Sequence, residues 1–233
     1  MSTTPLSSVH RAERPSIAQI TAAFLTAVLF SAHTAAVAGP VEDGVQELQR
    51  DWEVINYQVP APDREKRFEA LAQKAHRLTE ANPQRAEPLV WEGIIVSSWA
   101  GAKGGLGALG LVKQARSMYE SAIAIDGNVL DGSAYNSLGV LYYKVPGWPV
   151  GFGDKDKARE LLKRALNLNP RGIDPNFFYA DYLVTTGQPA EAAVYLERAL
   201  SAPSRPGRAV ADAGRREESR QLLEKVRERS ASR

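Results

Sequence analysis

From residue 40 onward, apolar side chains recur at helical spacing and almost nowhere alternate as strands require. Val45, Leu48, Trp52, Ile55 and Val59 form one stripe, which Pro60 and Pro62 end. Asp63 is placed to cap a following helix whose Phe68, Leu71, Ala75 and Leu78 share a face, until Asn82-Pro83 stops it. Leu89 to Trp99 is apolar on most faces, which predicts a helix buried all round. Further helical stretches continue to about residue 201. A last one follows around Leu222, Leu223 and Val226. The pattern predicts an all-α protein of roughly nine helices.

The stretches also resemble one another. Ala158, Leu162 and Ala165 recur as Ala192, Leu196 and Ala199, each 34 residues on, and an earlier copy reads Ala115, Tyr119, Ala122. Ahead of each lies a first helix with a small residue at its contact point: Gly93, Gly139 and Ala180. Small residues let two backbones approach, and the large residue between the alanines is expected to plug the gap between successive pairs. Asn169-Pro170 ends one second helix, Gly187 ends a first helix, and Pro189 suits the first turn of the next.

Tyr135, Leu138, Gly139 and Tyr142, followed by Ala158, Leu162, Ala165 and Pro170, resemble the tetratricopeptide (TPR) pattern. The resemblance covers about residues 63–201, most clearly 87–126, 131–170 and 174–201. It implies a TPR-like α-solenoid of antiparallel helix pairs over residues 39–204, followed by a charged capping helix or tail, 205–233.

Two departures stand out. The separation from small residue to alanine is 12 in the third copy, 19 in the second and 22 in the first. Both excesses fall in the turn inside a helix pair, so two extended turns, 101–110 and 145–154, are expected side by side on one edge. The second turn holds Trp148 and Phe152 among glycines and prolines, and Asp154 is placed to cap the helix that follows. Two readings stay open for it: a hydrophobic lid or ligand platform, or aromatics folded back as packing with Asp154 only a cap. The glycine-rich first turn lacks the Lys-Ser/Thr ending and preceding strand of a nucleotide-binding loop, and reads as close backbone packing or a mobile flap.

The groove faces of the first helices carry Val90, Ile94, Asn136, Val140, Phe177 and Asp181. They provide no basic clamp for a peptide carboxylate. With Tyr143 and Asn136 as polar handles, the groove suits a hydrophobic ligand or a partner helix, unless the C-terminal helix fills the groove or caps the stack.

Gly147-Trp148-Pro149, Gly151-Phe152-Gly153-Asp154 and Asp174-Pro175-Asn176-Phe177-Phe178-Tyr179 are similar to the T component of tripartite ATP-independent periplasmic (TRAP) transporters. They are also similar to helical-repeat proteins related to regulators of microtubule dynamics. The first resemblance implies a periplasmic place beside a solute-binding protein, with an organic-acid or hydrophobic ligand.

The N-terminus supports export. Residues 17–30 are almost purely apolar, and Ala36-Val37-Ala38 offers the small residues that signal peptidase accepts. Residues 1–38 are therefore expected to be a signal peptide cut after Ala38, the alternative being an uncleaved single-pass anchor. Without cysteine, a lipid anchor, disulfides and thiolate metal sites are excluded. Once residues 1–38 are removed, 27 basic and 26 acidic residues remain; the tail from Arg205 holds nine basic against five acidic, alternating as on a solvated helix.

That pattern gives no nucleic-acid footprint, and no catalytic constellation, cofactor or metal site is apparent. His76, the one histidine beyond residue 38, reads as solvated or capping. Ser97 and Ser98 have no histidine partner. The pairs Asp154/Asp156 and Asp174/Asp181 read as caps or surface. The functional expectation is a non-enzymatic scaffold of the cell envelope that binds another envelope or periplasmic protein. The candidate contact residues are Trp148, Phe152, Asp154, Tyr143, Asn136, Phe177 and Asp181. The alternative is the T-component-like binder of a small ligand.

Overall fold

Proline and glycine punctuate the chain, and the helices fall between them. The computed structural model describes residues 39–231, with side chains to Arg229; the expected signal segment lies outside the described residues. Among the described residues there are nine helices and no strand: α1 (Pro40–Tyr57), α2 (Ala61–Ala81), α3 (Ala86–Lys103), α4 (Ala108–Asp126), α5 (Val129–Lys144), α6 (Lys155–Leu168), α7 (Ile173–Thr185), α8 (Pro189–Ser201) and α9 (Ala209–Ala231). Short connections make successive helices antiparallel. Pro189 opens α8 and α6 stops before Asn169-Pro170, as the sequence predicts.

The odd-numbered helices form an inner layer, each touching the next: α1 with α3, α3 with α5, α5 with α7, α7 with α9. Then α9 returns to α1. Each of α2, α4, α6 and α8 touches only its two flanking odd helices, so the outer layer fills the furrows of the inner one. The result is a solenoid of antiparallel helix pairs whose inner face closes into a ring. The groove expected along α3, α5 and α7 is thereby narrowed to a half-open cavity. The C-terminal helix caps the stack, through Leu223 and Val226, and packs on α7, α8 and α1.

The repeated small residues do what their spacing implies. Ala115, Ala122, Ala158, Ala165, Ala192 and Ala199 are fully buried, as are Leu162 and Leu196 between them. The large residue, however, fills its own pair. A Cβ on Gly93 would lie 2.6 Å from the Tyr119 ring, and one on Gly139 would lie 2.8 Å from Leu162. Tyr119 also extends its hydroxyl to Ser97 at 3.0 Å, so ring and glycine register α4 on α3.

Several expectations change. Val59 lies past the end of α1, and Asp63 sits inside the first turn of α2 without capping it, because Pro60 already begins the turn. The glycine-rich stretch 101–110 is no long turn. Its excess lengthens α3 and α4, leaving only Gly104–Gly107 between them, with φ of 63° at Gly104 and 58° at Gly105. The extended turn is 145–154 alone. His76 is not merely solvated: its Nδ1 lies 2.8 Å from Oε1 of Glu92, a carboxylate buried in α3, with Glu80 at 3.4 Å from Nε2.

Gly93→Ala and Gly101→Ala test the register within one helix. Alanine at 93 strikes the Tyr119 ring and is expected to cost about 1–3 kcal/mol. At 101 a Cβ meets nothing within 4 Å, so alanine should stabilise by roughly 0.5–1 kcal/mol from helix propensity. Urea denaturation of the two variants must give opposite signs. Hydrogen bonding from Glu92, then its charge, raises the His76 pKa above the ordinary 6.5. That stabilisation is full below pH 6.5 and is lost as pH rises through the raised value. His76→Gln should flatten the fall in melting temperature over this window; an unchanged slope would show that the pair contributes nothing.

Candidate functional site, a cavity inside the helix ring

Ring closure leaves a half-open cavity of about 270 Å³ lined from α1, α3, α5, α7 and α9. One wall is aromatic. Trp52 and Trp91 meet edge to face at 6.0 Å, and Trp52 meets Tyr57 in the same way at 5.9 Å. Ile94, Val140 and Phe178 add half-buried apolar surface from the three central inner helices. The hydroxyls between them are engaged: Ser98 accepts from Trp52 Nε1 and donates to the Ile94 carbonyl, both at 2.8 Å.

The opposite wall is a clasp of arginines and carboxylates. Arg208, just before α9, pairs with the buried Glu53 of α1 and lays its guanidinium 5.0 Å from the Trp91 ring. Asp174, in the first turn of α7, accepts from Arg205 at 2.6 Å and from Arg215 at 2.8 Å. Arg205 also holds Asp212, through its side chain and through its backbone N–H, each at 2.8 Å. Arg215 pairs further with Glu218 and lies 4.6 Å and 4.4 Å from the Phe177 and Phe178 rings. Burial on its own would raise the Asp174 pKa; the Arg215 and Arg205 charges override it and hold the carboxyl down to about 2. Burial opposes the Arg215 charge, but Asp174 more than compensates and raises its pKa.

Beside the clasp, α9 rests on α1 with almost no clearance. A Cβ on Gly214 would lie 2.3 Å from the Tyr57 ring. Burial raises the Tyr57 hydroxyl to about 12, against a smaller opposing hydrogen bond with the Asn56 side chain. Asn136, only 5% exposed on α5, has a buried Oδ1 without a partner.

Of the seven candidate residues, Asn136 lines this cavity. Phe177 is buried under Arg215. Tyr143 donates to Asp181 at 2.7 Å, and Lys144 holds the same carboxylate at 2.6 Å. The remaining three lie in the 145–154 turn, whose backbone ties itself down: Gly153 N–H to the Pro146 carbonyl at 2.9 Å, Asp154 N–H to Tyr142 at 2.8 Å. Phe152 folds back onto Tyr142, ring centroids 5.5 Å apart, with the Arg116 guanidinium 5.0 Å from its own ring. Asp154 caps α6, accepting from the N–H groups of Asp156 and Lys157 at 3.0 Å. Trp148 alone projects, 90% exposed. The turn leans on α4 near Lys113 and Arg116, in the neighbouring pair.

Sequence reasoning did not find Glu53, Asp174, Arg205, Arg208 or Arg215 as a group. The tail arginines were expected to be solvated, yet Arg215 is 8% exposed. A signal was present. Asp212, Arg215, Ser219, Leu223 and Val226 recur at helical spacing and are all buried, so the buried stripe of α9 is polar at one end and apolar at the other. Among the described residues no group of three His, Asp or Glu side chains is arranged to hold a metal ion, and no helix is long and apolar enough to cross a membrane.

No family model matches the chain, and no curated protein does. Among solved structures, the chain is similar to the crystal structure of MamA, at 18% identity over 75% of this chain and 96% of that one, with a TM-score of 0.41. It is also similar to TTC0263, a thermophilic TPR protein in Thermus thermophilus, at 18% identity over 77% and 98%, with a TM-score of 0.40.

Removing one partner of a buried ion pair strands the other. Arg208→Ala is expected to cost about 3–5 kcal/mol by leaving Glu53 unpaired, measured by denaturant unfolding. The depressed Asp174 pKa gives stability that is present above its ordinary 3.8 and lost as pH falls towards 2. Asp174→Asn should lower stability at neutral pH and flatten the acid limb between those values.

Proposed function

We propose that the protein is a non-enzymatic interaction scaffold of the cell envelope, exported by residues 1–38, which docks a partner protein through the edge bearing the 145–154 turn. One observation carries this reading: Trp148 stands 90% exposed at the tip of a turn held by its own backbone hydrogen bonds. Large exposed aromatics on ordered loops are the residues that anchor protein interfaces. Val150 in the same turn is 51% exposed and Leu106, between α3 and α4, is 80% exposed.

The surrounding charge favours an acidic partner. Lys103, Arg116 and Lys144 are paired with Glu65, Glu120 and Asp181, which leaves Lys113, Lys155 and Lys157 near the turn to meet an acidic partner. The inner cavity is short and bordered by arginines already paired with carboxylates, whereas the edge presents exposed apolar side chains, which favours the edge as the docking surface.

A second reading is favoured by the central cavity: a small-ligand binder that acts beside a solute-binding protein, as the T-component resemblance implies. The cavity belongs to the folded monomer and needs no partner to form.

A photo-crosslinking residue at position 148 should give one discrete adduct in the envelope fraction. The same residue at Ile125, exposed on α4 but away from the turn, should give none. Adducts at both positions, or at neither, would overturn edge docking. Trp148→Ala should change stability by under about 0.5 kcal/mol, whereas Phe152→Ala should cost roughly 2–3 kcal/mol through lost packing on Tyr142. N-terminal sequencing of the mature protein should begin at Gly39; retention of the leader in a membrane fraction would show an anchor instead.

A further inference from the structure

We infer that the partner enters this edge as an extended segment alternating acidic and apolar residues, laid in the slot between α4 and the 145–154 turn. This rests on the edge-docking reading and names the partner's contact element. The slot has two unlike walls. Lys113, Arg116 and Glu120 stand on the polar one, and Pro149, Val150 and Phe152 on the apolar one. The polar wall is a single face of α4, about 10 Å long, which an extended chain covers in about three residues. Successive side chains of such a chain point to opposite sides, so alternate residues meet alternate walls. At about 320 Å³ the slot is too small to seat a helix, which is about 10–12 Å across with its side chains.

The apolar wall is in place before a partner arrives. Gly151 donates to the Gly147 carbonyl at 3.1 Å and Gly153 to that of Pro146 at 2.9 Å. A Cβ on Gly151 would lie 2.5 Å from the Pro146 oxygen, so the turn is closed tightly on itself. Val150 is 51% exposed on this wall, and Phe152 is half-buried. A preformed wall spares the complex the cost of ordering the turn.

Charge sets the other residues of the segment. Arg116 is engaged: it pairs with Glu120 at 2.8 Å and lies 5.0 Å from the Phe152 ring, which ties the two walls together. Lys113, exposed and nearer the start of α4, has no acidic partner among the described residues. An acidic side chain entering at that end completes it, whereas one at the far end meets Glu120. A bilayer is a different case: its flat surface reaches the projecting Trp148 and Leu106 but not the walls of the slot.

Fluorescein-labelled hexapeptides alternating glutamate with leucine, lysine with leucine, and glutamate with serine test the inference by anisotropy against the folded chain at low salt. The glutamate–leucine peptide should bind about tenfold more tightly than either of the others. Lys113→Glu should weaken it by about fivefold or more. Lys225→Glu, the same charge change at an exposed position of α9, should leave it unchanged, with far-UV circular dichroism preserved in both variants. Equal loss in the two variants, or equal binding of the lysine–leucine peptide, overturns the slot. If no peptide binds while position 148 still crosslinks to one protein, the extended segment falls and edge docking stands. Co-sedimentation with vesicles of equal parts phosphatidylglycerol and phosphatidylcholine, without peptide binding, assigns the edge to lipid and overturns both.

Discussion

The pairing of Glu53 with Arg208 joins residues 155 positions apart and fastens the last inner helix to the first. A solenoid of helix pairs needs only nearest-neighbour contacts, and its two ends ordinarily face solvent. Here the first inner helix and the last one cover each other. The Glu53–Arg208 pair, the Asp174 fork to Arg205 and Arg215, and the near-contact of Gly214 with the Tyr57 ring lie along that closure. A buried ion pair contributes little net stability compared with apolar side chains of the same size. Its effect is selective: the buried end of α9 tolerates few positions other than one in which every guanidinium meets a carboxylate.

This constraint explains why the ends are polar where the middle is not. Within the central pairs, alanines against a Tyr or Leu plug set the helix distance, and the one carboxylate buried there, Glu92, is matched locally by His76 of the neighbouring helix. At the seam no repeat partner exists to continue the pattern. Closing the seam with apolar residues alone would leave a greasy face exposed whenever the ends separate. Arg208 over Trp91, and Arg215 over Phe177 and Phe178, cover aromatic surface with groups that water also solvates well.

The central architecture was legible in the sequence because it repeats. Gly93 and Gly139 stand opposite Tyr119 and Leu162, and the third copy repeats the pattern with Ala180 and Leu196, both fully buried. The cap at Asp154, the stop at Asn169-Pro170 and the start at Pro189 are local chemistry, readable from a few residues. Closure was not legible, since it depends on residues that occur once and lie far apart. In α9, the polar first half of the buried stripe hid its period, and alternating charges suggested a solvated helix. The site suffered from the same effect. Asn136 was visible because it sits at a groove position of the repeat; Trp52 and Tyr57 lie in α1, where no repeat register exists to show which way they face. Phe152 was visible as an unusual residue, but its role as packing appears only once Tyr142 and Arg116 are seen around it.

Cavity and edge are built on the same helix but act through different forces. Asn136 and Lys144 lie eight residues apart on α5, about 12 Å along its axis, with the Trp148 turn beyond. A ligand held by the inner wall stabilises the closed ring by contacting five helices at once, so its binding energy appears as stability against unfolding. It alters the edge only if the ring has a second arrangement in which α5 and its turn sit differently. The turn is fastened to Tyr142 and α4, on the outer side of the ring, and not to the clasp. Cavity and turn are therefore held by separate contacts, and substitutions in one are expected to leave the geometry of the other unchanged.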